Sequence, residues 1–337
     1  MEERGMNERI KKLRRQSVDT PARIYMERAD LMTDAYKMYE GSVSVPEMRA
    51  LAFKYFMEHK QLCINDGELI VGEKGDGPQK SPTFPELCCH TLEDMHVMND
   101  RELISFKVTD EDLKLQEEKI IPYWEKRSIR HKIINAMTPE WRDCYESGIF
   151  TEFMEQRGPG HTVGSQKIYT KGFLDYQKDI QDAMDKLDFL NDPEALDKQN
   201  ELKAMSIACD AIMILGKRYA AMAREMAEKE TDPIRKEELL QIAHNCDVVP
   251  AHKPETYWQA IQMYWFVHLG VTTELNPWDA YSPGRLDQHL YPFYEHDVEA
   301  GILDDEKASR EYIDQMWAEA MVIYKSGDFQ LKLPKKI

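Results

Sequence analysis

The sequence predicts one mainly α-helical domain with few strands, and three observations support this fold class. Apolar residues recur every three or four positions over several long stretches, which is the spacing of one face of an α-helix. A threonine followed by proline marks two helix starts. No linker, low-complexity tract or repeat of roughly 20–50 residues divides the 337 residues, and 42% of them are hydrophobic, so residues 1–337 are expected to share one core.

The N-terminal residues form the first predicted helix. Ile10 and Leu13 stand three positions apart within a basic run from Arg9 to Arg15, so the basic side chains are expected on the solvated face of an amphipathic helix. The formal net charge of −17 argues against binding to nucleic acid. No signal segment is visible, and no stretch reaches the ~18 consecutive apolar residues of a membrane span. These patterns predict a soluble, cytoplasmic protein.

Two helix starts carry their own signals. Thr20-Pro21 and Thr138-Pro139 each place a capping hydroxyl before a proline at the first helical position. Gly148 is available to end the second of these helices. We therefore predict a helix after Thr20 and another between Thr138 and Gly148.

Two further helices and one extended segment are predicted from hydrophobic patterns. Apolar residues from Met205 to Met226 recur at helical spacing, which favours one long helix with a Met-rich stripe in the core. The stretch 255–269 is apolar on nearly every face, which is typical of a helix buried in the middle of a fold. Residues 68–71 are the clearest extended candidate, although four residues fit a strand and a turn-flanked coil equally.

The cysteines fit reduced thiols in the cytoplasm better than a disulfide framework, because they are scattered and show no C-x-x-C spacing. They are Cys63, Cys88, Cys89, Cys144, Cys209 and Cys246. Cys88-Cys89 beside His90 invites a metal-site interpretation, but no second ligand pair stands at zinc-site spacing, so buried small residues are the preferred interpretation.

Chemistry is expected in three segments that concentrate Gly, Pro and polar residues, namely 65–85, 157–164 and 272–284. None has the spacing of a phosphate-binding loop or a dinucleotide fingerprint. His161 suits proton transfer or binding of a carboxylate, and Asp279 suits binding of a cation or hydroxyl, but each also fits a structural role in a turn. The same ambiguity applies to Asp287, His289, Glu295 and Asp297.

Four stretches resemble the N-terminal part of glycyl radical enzymes of the pyruvate formate-lyase-like group and, within it, the hydroxyproline dehydratases. They are DGELIVGEKGD (66–76), FTEFMEQRGPGHTV (150–163), VPAHKPETYWQAIQMYWFVHLGVTTELN (249–276) and SPGRLDQHLYPFYEHD (282–297). The resemblance runs in order from about residue 8 to about residue 318, and the sequence from about 322 to 337 diverges from the family pattern.

The resemblance implies a ten-stranded α/β barrel surrounded by helices, with a glycyl radical that a partner radical S-adenosylmethionine enzyme installs. In the dehydratases of the family a cysteine thiyl removes a substrate hydrogen, a glutamate assists proton transfer, and water leaves. The resemblance maps Phe153 onto an apolar pocket wall, His161 onto a polar group facing the substrate, and Asp279 onto a carboxylate that contacts substrate or relays a proton. The GPGH turn would then deliver His161 into the barrel.

Two motifs of the family are missing from the sequence, the cysteine-x-glutamate loop and the R-V-x-G-Y radical segment. Cys144-Tyr145-Glu146 has the first spacing, but it lies outside the matching motif, so the radical role is not carried to it. We therefore expect a lyase by resemblance that binds no cofactor and is inactive alone. The expected partners are a small hydroxyproline-like substrate, the activating enzyme, a separately encoded C-terminal half and a second copy in a homodimer.

Two alternatives stay open at this point. Within the enzyme class, the chain fits other glycyl radical lyases such as glycerol dehydratase or choline trimethylamine-lyase. Outside that class, it fits a non-catalytic helical binding protein.

Overall fold

The computed structural model describes residues 8–149, 163–275 and 283–303, and these residues are mainly helical with two short strands. The predicted fold class is confirmed. The helices are α1 (Glu8–Asp19), α2 (Glu27–Tyr39), α3 (Val45–His59), α4 (Leu92–Asp100), α5 (Asp110–Leu115), α6 (Ile121–Trp124), α7 (Ile129–Ala136), α8 (Pro139–Glu146), α9 (Lys167–Thr170), α10 (Phe173–Met184), α11 (Ala195–Lys229), α12 (Pro233–Val248), α13 (Tyr257–Leu275) and α14 (Leu286–Glu299). A π-helical segment, Gln116–Ile120, joins α5 to α6.

The strands β1 (Arg23–Tyr25) and β2 (Lys80–Pro82) form a parallel pair in which Ile24 lies opposite Ser81. This pairing overturns the helix predicted after Thr20. The Thr20 hydroxyl donates to the carbonyl of Gln16 and so closes α1, and the backbone that follows is held by β2 and its neighbours. The long-range pairing decides the structure here, because a threonine before proline fits a helix end followed by a strand as well as a helix start.

The cap at the second predicted helix start is confirmed. The Thr138 side chain accepts the N–H of Trp141 at 3.4 Å, and Pro139 is the first residue of α8. Gly148 follows with φ +73°, a conformation that glycine adopts without strain.

The predicted long helix is confirmed as α11, which packs against α3, α10 and α12. Its buried face includes Cys209, Ile212, Leu215 and Tyr219. Met205, predicted as part of the core stripe, is 53% exposed, and alanines fill much of the buried face instead. Small residues allow the neighbouring helices to approach α11 closely, which leaves less room for methionine.

The helix predicted for 255–269 is confirmed as α13, and it is buried along nearly its whole length. Phe266 and Leu269 pack in a core cluster with α3 and α11, whereas Tyr264 and Trp265 pack in a second cluster with α9 and α14. A helix shared by two cores has no solvated face, which explains its uniformly apolar sequence.

The extended candidate at 68–71 is a coil rather than a strand. Side chains of α13 take the place of a neighbouring strand. Gln262 bonds both backbone groups of Val71, at 2.9 Å to the N–H and 2.8 Å to the carbonyl, and Trp265 Nε1 donates to the carbonyl of Gly72 at 2.9 Å. Side chains therefore supply hydrogen-bond partners for the backbone groups of Val71 and Gly72, and the loop can stay buried.

Candidate functional site

The predicted pocket residues lie in two segments outside the described residues. Phe153 and His161 belong to 150–162, and Asp279 belongs to 276–282. The contact of His161 and Asp279 with a substrate therefore stays a prediction. The elements that border both segments are described.

These bordering elements meet in one core cluster. Val163, which follows the first segment, packs with Tyr169 of α9. The same cluster contains Tyr264 and Trp265 of α13, whose C-terminal end precedes the second segment, and Leu290 of α14, which comes after it. Both predicted pocket segments are thus connected to elements that pack on α13.

Two arginines bind the last carbonyl groups of α13. Arg28, which is 1% exposed, donates from Nε to the carbonyl of Thr273 at 2.8 Å, and Arg49 donates from Nη2 to the carbonyl of Glu274 at 3.2 Å. The final carbonyls of a helix lack partners within it and carry the negative end of its dipole, so a cation is favourable there. The arginines fix the end of α13, whose last residue, Leu275, comes four positions before Asp279.

Carboxylates balance the charge of both arginines. Glu86 accepts two hydrogen bonds from Arg28, one of them at 3.2 Å from Nη1, and the ring of Phe84 lies 3.9 Å from the Arg28 Cζ. Glu274 accepts from Arg49 Nε. Burial raises the pKa of Glu274, and the attraction of Arg49 opposes that shift. The end of α13 is therefore held by charge pairs as well as by apolar contacts such as those of Leu269 and Val271.

Glu68 and Glu73 form a second buried group in the loop before β2. Asn65 Nδ2 donates to a carboxyl oxygen of each, at 3.4 Å from Glu73 Oε1, and the Asn65 N–H donates to Glu68 Oε2 at 2.7 Å. Burial raises the pKa of Glu68 to about 7 and that of Glu73 to about 8, and repulsion by Glu68 adds to the second shift. The pair therefore retains a proton near neutral pH.

Lys60 lies beside this pair with no exposed surface. Its Nζ donates to the carbonyl of Glu73. Burial lowers the pKa of Lys60 to about 8, and the negative charge of Glu27 is the largest influence that opposes this shift. The Tyr219 hydroxyl accepts the N–H of Glu73 at 3.1 Å, so the loop is bonded both to Lys60, the residue after α3, and to α11.

His268 is a buried, neutral group on α13. Its Nδ1 lies 3.1 Å from the Tyr264 hydroxyl, and its ring stacks on Trp265 with 5.6 Å between centroids. Burial lowers the pKa of His268 to about 4, and the positive charge of Lys74 lowers it further. Near pH 7 this histidine can form hydrogen bonds but does not carry a charge.

The polar residues predicted on α14 do not converge on one site. Asp297 is 1% exposed and accepts the N–H of Tyr257 at 2.7 Å, so it caps the start of α13. The ring of His289 lies against an aromatic ring of α9. Asp287 and Glu295 are exposed. The sequence left both a functional and a structural role open for Asp297, and the structure shows a structural role.

The cysteines are all free. Burial raises the pKa of Cys89 to about 12 and that of Cys209 to about 11, so these two stay protonated thiols near pH 7. Across residues 8–149, 163–275 and 283–303, no group of three or more His, Cys, Asp or Glu side chains could hold a metal ion. Within the same ranges, no helix combines the length and hydropathy needed to cross a membrane.

The family model described as pyruvate formate lyase-like matches residues 6–326. This chain belongs to the pyruvate formate lyase-like family. The match includes the loop of Glu68 and Glu73, the whole of α13 and both segments that contain the predicted pocket residues.

Relatives within the pyruvate formate lyase-like family are longer than this chain. It is 63% identical over 316 residues to the trans-4-hydroxy-L-proline dehydratase of Clostridioides difficile. The aligned residues make up 94% of this chain and 40% of the relative. A solved structure of hydroxyproline dehydratase from that organism, with trans-4-hydroxy-L-proline bound, has a TM-score of 0.91, 61% identity, and coverage of 96% of this chain and 40% of that one. The structure of the B12-independent glycerol dehydratase of Clostridium butyricum matches with a TM-score of 0.86 and 29% identity. The match covers 94% of this chain and 40% of the glycerol dehydratase.

These likenesses confirm the resemblance inferred from the sequence motifs. The described helices are those of a glycyl radical enzyme fold, and the chain spans about 40% of the length of these relatives. Sequence reasoning missed the roles of Arg28, Glu68 and Glu73. Glu68 and Glu73 stand on either side of the short apolar run in the 66–76 motif. That position beside apolar residues is the sequence signal that could have indicated their burial.

Proposed function

We propose that this chain supplies part of a glycyl radical C–O lyase that converts trans-4-hydroxy-L-proline to pyrroline-5-carboxylate and water. The observation that carries the proposal is the 63% identity over 94% of the chain to a protein of that activity. The glycerol dehydratase has nearly the same fold at 29% identity, which favours hydroxyproline over glycerol as the substrate. Loss of water changes no net oxidation state, so the conversion needs no external oxidant or reductant.

In this proposal the chain contributes walls and polar contacts of the substrate pocket. Phe153 would pack against the ring of the substrate, His161 would donate to its hydroxyl or carboxylate, and Asp279 would contact it or relay a proton. The buried Arg28 and the partly exposed Arg49 support the role of Asp279, because they hold the helix end that precedes it.

The radical chemistry would come from a second stretch of polypeptide that carries the cysteine, the glutamate and the glycine absent from this sequence. A radical S-adenosylmethionine enzyme with an iron–sulfur cluster would install the glycyl radical, and the chain itself would bind no cofactor. We place the assembly in an anaerobic cytoplasm, as a homodimer. The free cysteines and the oxygen sensitivity of a glycyl radical support this location.

The test is reconstitution under strict anoxia. This chain is co-expressed with the C-terminal portion of the Clostridioides difficile dehydratase and incubated with activating enzyme, S-adenosylmethionine and a reductant. We expect a glycyl radical signal in electron paramagnetic resonance and formation of pyrroline-5-carboxylate only when both parts are present. Activity from this chain alone would overturn the proposal.

Two variants separate the pocket role from general damage. His161→Ala should reduce turnover and leave the radical signal in place, whereas the exposed His252→Ala should change neither. A complex that forms the radical but turns over glycerol or choline instead of hydroxyproline would support another lyase of the family. A complex without radical or turnover would support the non-catalytic binding protein.

A further inference from the structure

A wide groove opens between α3, α10, α11 and the C-terminal half of α13. Its volume is about 1160 Å³. Apolar side chains dominate the floor, and they come from every one of the four helices. The main floor residues are Phe53, Phe173, Ile180, Ala208, Ile212 and Val271.

The rim of the groove combines exposed apolar residues with charges of both signs. Val45 is 73% exposed, Met205 53% and Leu275 39%. A contiguous apolar surface bordered by polar residues is the usual composition of a protein interface. The charged lining residues are Arg49, Lys167, Asp179, Glu201 and Glu274.

We propose that this groove is the docking surface for the part of a pyruvate formate lyase-like polypeptide that this chain does not contain. The occupant presents apolar side chains to the floor and charged groups of both signs to the rim. This inference rests on the proposed function, since it names the surface through which the chain would join the portion that carries the radical chemistry.

The relatives' length supports this occupant. The solved hydroxyproline dehydratase matches 96% of this chain with a TM-score of 0.91, so it has the same helices, but these account for only 40% of its length. The remainder of such a protein has to pack on surfaces that residues 8–149, 163–275 and 283–303 of this chain leave open. An open apolar groove is the surface that gains most from that packing, because burial of apolar area drives association.

The size and position of the groove also favour a polypeptide over a metabolite. Small-molecule pockets enclose roughly 300–1,000 Å³ and place a few polar groups at convergent positions on an apolar lining. Here the lining is mainly apolar, and two of its five charged residues, Arg49 and Glu274, are already paired with each other. One end of the groove lies at Glu274 and Leu275, where α13 leads into the segment of Asp279, so the occupant would also pack beside the predicted substrate pocket.

The first experiment measures association in air, without activating enzyme, so that no radical or turnover is involved. The C-terminal portion of the Clostridioides difficile dehydratase is co-expressed with this chain and the affinity of the complex is measured. Val45→Arg/Met205→Arg charges two exposed positions that line the groove, one on α3 and one on α11, and Val97→Arg/Leu103→Arg makes the same change at 57% and 79% exposed sites elsewhere. We expect a loss of affinity of about tenfold or more for the first pair and less than about twofold for the second. Equal effects would overturn the docking surface.

A second measurement covers the case in which the separate C-terminal portion does not fold. Residues 1–303 of this chain are continued by that portion in one polypeptide, and a photo-crosslinking amino acid replaces Met205 or, as the control, Leu103. Crosslinks from position 205 to the C-terminal portion of the same molecule support the proposal. Crosslinks to a second copy, or none, overturn it. Because neither measurement depends on catalysis, an inactive but docked complex would contradict the proposed function and leave the docking surface intact.

Discussion

The side-chain amide of Gln262 binds both backbone groups of Val71, with 2.9 Å from the Val71 N–H to Oε1 and 2.8 Å from Nε2 to the Val71 carbonyl. Both residues are at most 1% exposed. The pair joins the loop of the buried glutamates to the central helix α13, and it takes the place of the strand partner that the sequence at 68–71 lacks.

Replacing Gln262 with Leu should destabilise the protein strongly. The substitution keeps the size of the side chain but leaves a buried N–H and a buried carbonyl unpaired, which costs roughly 2–4 kcal/mol. Urea unfolding measures the loss. Gln181→Leu makes the same replacement on an exposed face of α10, and its effect should stay within about 0.5 kcal/mol.

Replacing Arg28 with Met should also lower the free energy of unfolding, by about 3–5 kcal/mol, because the buried Glu86 loses its charged partner. Arg28→Met/Glu86→Gln should lose less than Arg28→Met, since no uncompensated charge remains. The comparison is Arg127→Met, which breaks a half-exposed pair with Glu40 and should cost less than about 1 kcal/mol. Similar losses at both arginines would contradict a buried network.

Stability should fall as the pH rises from about 5 to 8. The folded pKa values of Glu68 and Glu73, about 7 and about 8, lie above the ordinary value of 4.5, so the folded state binds more protons than the unfolded state in this window. Their contribution is complete below pH 4.5 and is lost as the pH rises through the folded values. Urea unfolding at several pH values in this range measures the effect. Glu68→Gln/Glu73→Gln should reduce the change in the free energy of unfolding with pH, and Glu237→Gln, at an exposed position, should not.

Above about pH 8, Lys60 should contribute in the opposite direction. Its folded pKa, about 8, lies below its ordinary value of 10.5, so at this group the unfolded state binds more protons and the contribution of Lys60 to stability rises with pH. Buried thiols such as Cys89 and Cys209, whose pKa values are raised, contribute a fall over the same range. Lys60→Met should therefore make the fall in stability above about pH 8 steeper than in the unsubstituted protein. An unchanged slope in Lys60→Met would show that Lys60 stays charged in the fold.

Replacing Gly72 with Ala should destabilise the loop through a clash as well as through backbone strain. Gly72 has φ +142°, and an added Cβ would lie 2.9 Å from the indole of Trp265. Gly41→Ala is the matched control, because its φ is +75° and no atom lies within 4 Å of the added Cβ. We expect the Gly72 variant to lose about 1–3 kcal/mol more than the control, with a changed tryptophan fluorescence.

Much of the helical architecture follows from the sequence because it depends on local periodicity. The α1 face with Ile10 and Leu13, the long α11 and the buried α13 could all be predicted in this way. The helix expected after Thr20 was wrong, because the pairing with β2 involves residues almost sixty positions away. The substrate-contacting roles of Phe153, His161 and Asp279 stay predictions, since these residues lie outside the described ranges.

The sequence by itself determined the family, the helical fold class and the absence of the two radical motifs, because motif identity and hydrophobic spacing are properties of short stretches. Only the tertiary structure decided which charges are buried. Glu68, Glu73 and Lys60 look like ordinary surface residues in the sequence, and their pKa values shift because the fold buries them away from water. The groove beside α13 is likewise a product of packing, since its lining joins residues from separate helices spread between positions 45 and 275.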